Sequence, residues 1–92
     1  MRKLVIIPTY NEKENVAAMI DKVLSLDGNF NILFVDDGSP DGTADIIRDK
    51  QKGAPERINL ICRSGKLGLG TAYIAGFKWA LEAGYDLIFE MD

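Results

Sequence analysis

The chain is 92 residues long, 47% hydrophobic and 27% charged, the balance of an ordinary globular protein with one core. Its net charge of −3, from 11 basic and 14 acidic residues with no basic stripe, excludes nucleic acid as an expected partner. With no histidine and one cysteine, Cys62, an internal disulfide and the usual metal cage are excluded, so acid–base or metal chemistry falls to carboxylates, lysines, tyrosines or that thiol. The apolar runs are far shorter than a membrane span, and Met1-Arg2-Lys3-Leu4 leads straight into a strand pattern. A cytoplasmic protein is the expectation.

Lys3 to Ile7 is a continuous apolar run, the pattern of a strand buried on both faces, and Pro8 is expected to stop it. Asn11 and Glu14 resemble a capping box, so a helix should begin near Asn11, with Val16, Ile20, Val23 and Leu24 forming its stripe. Asp27-Gly28-Asn29 ends it. Asn31 to Asp36 is a second buried strand that runs into two adjacent acids and the turn Asp37-Gly38-Ser39-Pro40-Asp41-Gly42-Thr43. A second helix, Ala44 to Lys52, has a weak stripe and should lie outside. Ile58 to Cys62 is a third strand, and Arg63 to Gly68 a cationic, glycine-containing loop. A third helix from Leu69 to Ala83 is apolar on most faces and should be well buried, with Trp79 and Cys62 in the core. Asp86 to Met91 is the fourth strand.

Alternating strands and helices with short joins predict an α/β fold of three layers, a Rossmann-like parallel sheet with helices on both faces. With strand order 3-2-1-4, a crevice opens at the carboxyl ends of the strands, where the order reverses. Tyr10, Glu12, Asp37 and Asp92 then share one rim. Alternation sends Asp36 and Asp37 to opposite faces, so one can reach a ligand while the other braces the turn; the alternative is that both only cap it. Tyr10 can stack on a base and Glu12 can accept from ring or ribose donors. The loop Gly65-Lys66-Leu67-Gly68-Leu69-Gly70-Thr71 fails as a Walker loop and as a dinucleotide fingerprint on spacing. Lys66 and Gly68 before a helix start still suit a diphosphate; otherwise Gly68 and Gly70 serve only close strand–helix packing.

These motifs occur together, in order: Pro8-Thr9-Tyr10-Asn11-Glu12, Val35 to Thr43, Gly65 to Tyr73, and a terminal Met91-Asp92. From Lys3 to Asp92 the chain resembles the family 2 glycosyltransferases, most closely the dolichyl-phosphate mannose synthase branch. The resemblance implies a GT-A fold, a nucleotide-sugar donor and Mg²⁺ or Mn²⁺. It places Pro8, Tyr10, Glu12, Val35 and Asp37 in the donor nucleotide pocket. Asp92 matches the first acid of the family's Asp-x-Asp motif, which holds the donor ribose and the metal. The implied reaction is inverting transfer of mannose from GDP-mannose to a dolichyl or polyprenyl phosphate. An acceptor phosphate oxygen is already anionic, so such a reaction needs little general base.

Residues 1–92 read as a single domain, the N-terminal, donor-binding portion of a GT-A enzyme cut at Asp92. The acceptor side and any membrane-binding elements are expected beyond that point, and transfer by these residues alone is not expected. Two other readings remain. A non-catalytic nucleotide-binding module fits the same rim. A phosphoacceptor domain needs an acid after the third strand, where Cys62 and Arg63 stand. Finally, strand four should form an open apolar edge able to pair with a second copy in a homodimer.

Overall fold

In the computed structural model, which describes residues 1–65 and 67–91, the two long apolar runs lie side by side at the centre of one parallel sheet. The elements are β1 (Lys3–Thr9), α1 (Val16–Leu24), β2 (Phe30–Asp36), α2 (Thr43–Gly53), β3 (Ile58–Cys62), α3 (Leu69–Glu82) and β4 (Leu87–Glu90), and the strand order is β3-β2-β1-β4. Lys3 stands beside Phe30 and Thr9 beside Asp36, so β1 and β2 end level with each other.

Alternation along the strands feeds two cores. Val5, Ile7, Ile32, Phe34 and Ile58 point to the face covered by α1 and α2, through Val16, Ile20, Val23 and Ile47. Leu4, Ile6, Leu33 and Val35 point to the other face, against Ala72 and Ala80 of α3. Both faces of β1 and β2 are therefore dry, which is why neither strand shows a polar–apolar alternation. This is the expected three-layer arrangement.

The structure corrects several expectations. Pro8 does not end β1; it pairs with Val35, and Thr9 follows it in the strand. The Met91 N–H donates to the Ile6 carbonyl, so Ile6 turns its backbone groups toward β4. Pro8, two residues on, faces the same way, beyond the last paired residue of β4, where its missing donor costs least.

Nor does the helix begin near Asn11. Asn11 has φ of 54°, left-handed, and α1 starts at Val16 after the N-cap Asn15, which makes no side-chain cap bond. Cys62 is exposed, with Arg48 Nη2 at 3.2 Å from its sulfur. Trp79 is half-buried and stacks on Tyr85 at 6.0 Å between centroids.

Helix α3 is less buried than its composition suggests. It meets the sheet through Ala72, Gly76 and Ala80, spaced four apart, while Ile74 and Leu81 face solvent at 57% and 69% exposure. Small residues let the helix axis approach β1 closely. A Cβ at Gly76 would sit 2.8 Å from Ile6 Cγ2, whereas a Cβ at Gly68 or Gly70 would meet open space. Close strand–helix packing thus belongs to Gly76. Gly76→Val should destabilise the fold by about 1–3 kcal/mol, the usual cost of overpacking, read as a lower urea midpoint.

Candidate donor-nucleotide site

The rim is built where β1 and β2 end. The Asp37 N–H donates to the Thr9 carbonyl at 3.1 Å, which carries the ladder one residue past β2. Asp36 and Asp37 then part company. Asp36, 1% exposed, accepts from Thr9 Oγ1 at 2.7 Å, from Ser39 Oγ at 2.6 Å and from the Ser39 N–H at 3.0 Å. Its charge is spent on bracing the turn. Asp37 faces a cavity.

The two motifs at the strand ends are joined by hydrogen bonds from three successive backbone groups. The Asn11 N–H donates to Ser39 Oγ at 2.9 Å, the Glu12 N–H to Thr43 Oγ1 at 3.0 Å, and the Lys13 N–H to Asp41 Oδ2 at 3.1 Å. Gly38 (φ 70°) and Gly42 (φ 93°) give the turn the left-handed steps needed to present Ser39, Asp41 and Thr43 to those N–H groups.

A cavity of about 230 Å³ opens beside this junction, lined by Pro8, Thr9, Tyr10, Glu12, Asp37, Gly68 and Leu69. Pro8, Tyr10, Glu12, Asp37 and Gly68, all expected at the site, therefore come together. Val35 does not line the cavity: it is fully buried with Leu4, Leu33 and Ala72 in the core under α3. Alternation gives it the same face as Asp37, but two residues earlier, below the floor of the opening rather than at it. Lys66 and Asp92 lie outside the described residues. A second cavity, lined by Pro8, Glu12, Asn15, Met19, Lys22 and Met91, opens on the α1 side of the same strand ends.

Sequence reasoning missed three contributors. Thr9 acts through Asp36; Leu69 contributes the α3 side of the wall. Arg63 forms a two-pronged pair with Asp37, Nε to Oδ1 at 2.6 Å and Nη2 to Oδ2 at 2.9 Å, with side-chain exposures of only 12% and 8%. An arginine just after a strand that ends level with β2 was the available signal, since it can reach the neighbouring strand's acid.

Acidic oxygens at a rim suit a hard divalent cation in donor chemistry. Asp36 and Asp37 are already engaged, however, and among the described residues no three acidic or sulfur side chains converge as a cation site. No helix of the described residues is long and apolar enough to cross a membrane.

A parallel three-layer sheet with an aromatic and two carboxylates at its carboxyl rim defines a doubly wound α/β protein with a candidate ligand site at that rim. The family model for glycosyl transferase family 2 matches residues 4–92, and the chain belongs to that family. It is 47% identical over 91 residues to the polyprenol monophosphomannose synthase of Mycolicibacterium smegmatis, covering 99% of this chain and 34% of the relative. It is 46% identical over 92 residues to the undecaprenyl-phosphate mannosyltransferase of Micrococcus luteus, covering 100% of this chain and 37% of the relative. The mannosyltransferase PcManGT from Pyrobaculum calidifontis, solved in complex with GDP-Man and Mn²⁺, superposes with a TM-score of 0.79 at 26% identity, covering 86% of this chain and 24% of that one. The chain thus spans about a third of the length of the curated relatives it matches. The architecture is the expected GT-A one.

The turn carries a pH dependence. The Thr43 hydroxyl, helped by the N–H groups of Lys13 and Thr43, holds the Asp41 carboxyl below its ordinary 3.8. A lowered value in the folded chain means stability that is present above 3.8 and lost as pH falls through the folded value. The stability gap between the parent and Asp41→Asn, read from urea midpoints, should therefore close on acidification from neutral pH.

Proposed function

We propose that these residues form the donor-binding part of an enzyme that transfers mannose from GDP-mannose to a polyprenyl phosphate with inversion. The observation that carries this reading is the convergence of Tyr10, Glu12 and Asp37 on one cavity at the ends of β1 and β2. Its support is the likeness to two enzymes whose names specify mannose and a polyprenyl phosphate. Tyr10 stacks on the base, Asp37 accepts from it, and Glu12 accepts from ring or ribose donors. Lys66 and Gly68 meet the diphosphate, and Asp92 holds the ribose and a Mg²⁺ or Mn²⁺ ion. Such a cation neutralises the diphosphate leaving group when bound. Membrane association of the whole protein follows from a lipid-phosphate acceptor.

Calorimetric titration of the 92-residue chain tests the donor site. GDP should bind weakly and more tightly with Mn²⁺, UDP more weakly than GDP, and Asp37→Ala should abolish binding. Absence of GDP binding, or an Asp37→Ala variant that binds like the parent, overturns the reading.

We also propose pairing of β4 with β4 of a second copy. Among the described residues β4 pairs only with β1, and Leu87 and Phe89 are 40% and 43% exposed on it. Glu90 is the strand's one charge, and neither proline nor lysine interrupts it. Sedimentation of the chain at micromolar concentration should show a dimer; a clean monomer overturns this.

A further inference from the structure

Arg63 follows β3 directly and is tied at both ends of its length. Its backbone N–H donates to the Asp36 carbonyl at 2.8 Å, extending the β2–β3 ladder to the rim. The turn after Asp37 packs on its backbone, since a Cβ at Gly38 would meet the Arg63 carbonyl oxygen at 3.2 Å. The guanidinium then holds three partners. Besides the fork to Asp37, Nη2 donates to the Gly68 carbonyl at 3.2 Å and Nη1 to Thr71 Oγ1 at 3.0 Å. The Thr71 hydroxyl in turn lies 2.9 Å from the Leu67 carbonyl and 2.8 Å from that of Gly68.

The start of a helix is an unfavourable place for a cation, because the helix dipole is positive there. The charge of Arg63 is therefore answered by Asp37 and not by the dipole of α3. What the side chain does achieve is to fasten the first turn of α3 to the acid that ends β2. Leu69 is the first residue of that turn; it is 52% exposed, belongs to neither core, and lines the cavity. Its side chain therefore meets whatever enters the cavity.

We infer that Arg63 is a positioning residue of the donor site: it orients the Asp37 carboxylate and holds Gly68 and Leu69 as the cavity wall on the α3 side. A nucleobase entering between Tyr10 and Leu69 then meets an acceptor already fixed in place. This rests on the donor-site reading above. A planar fork is required, because two parallel bonds set the plane of the carboxylate, and a lysine supplies charge without that plane.

The test is GDP affinity by calorimetry on the parent chain, Arg63→Lys, Thr71→Val and Leu69→Ala. Arg63→Lys should lose on the order of tenfold in affinity or more, the usual cost of removing a group that orients a ligand-binding side chain. Thr71→Val and Leu69→Ala should each lose a few-fold. In an Asp37→Asn background, Arg63→Lys should cause no further loss, because a residue that acts through another is non-additive with it. Additive losses mean that Arg63 does not act through Asp37, and overturn the inference. So does an Arg63→Lys variant that binds GDP like the parent. Should Arg63→Lys not fold, Thr71→Val decides, since it keeps the pair with Asp37 and removes one of the two bonds from Arg63 to the start of α3; unchanged affinity then overturns the inference. A parent chain that fails to bind GDP overturns the donor-site reading itself, whereas parental binding with unaffected variants overturns the role of Arg63 alone.

Discussion

The structure depends on one constraint: a strand buried on both faces delivers two adjacent carboxylates to the edge of the core, and each must be satisfied there. Asp36 and Asp37 are 1% and 6% exposed, so leaving either without partners would carry the penalty of a buried, unpaired charge. The chain meets this with two different chemistries. Asp36 receives neutral donors from Thr9 and Ser39, and Asp37 receives a guanidinium. The first solution joins β1 to the turn after β2. The second joins β2 to the start of α3. Together they bring three separate stretches of sequence to one opening.

Local geometry around this rim is subordinate to those demands. Asn11 takes a left-handed turn in place of a helix start, and the N–H groups of Asn11, Glu12 and Lys13 go to Ser39, Thr43 and Asp41. Helix α1 consequently starts at Val16 without a side-chain cap, and its hold on the fold comes from Val16, Ile20 and Val23 packing on the sheet. Residues that read as capping signals thus serve a junction between strands. The cost of an uncapped helix is about 1 kcal/mol, which the three hydrogen bonds of the junction offset.

The two faces of the sheet are covered by different means. On one side, branched residues of α1 and α2 interlock with Val5, Ile7 and Phe34. On the other, α3 approaches on alanine and glycine, and Gly76 sits against Ile6 with no room for a methyl group. The close approach puts the first turn of α3 within reach of Arg63, and so makes Gly68 and Leu69 part of the cavity. Packing far down the helix therefore decides the shape of the site at its start.

Much of this was legible in the sequence alone. Continuous apolar runs at Lys3–Ile7 and Asn31–Asp36 read as buried parallel strands, and short helical joins make the sheet parallel; the expected order 3-2-1-4 is the one observed. The same reasoning placed Pro8, Tyr10, Glu12 and Asp37 at one rim, because strand ends in a parallel sheet converge. Tertiary structure alone decided the rest. Whether Asn11 caps a helix depends on Ser39, 28 residues away. Whether Val35 reaches the opening depends on how far α3 covers the face it shares with Asp37. Arg63 pairs with Asp37 only because β2 and β3 end level, and the exposed side of α3 follows from which of its small residues reach Ile6. Periodicity and turn chemistry report what a segment does with its own neighbours; partners distant in sequence are chosen by the packed sheet, and there the hydrogen-bonding demands of buried acids overrule local preference.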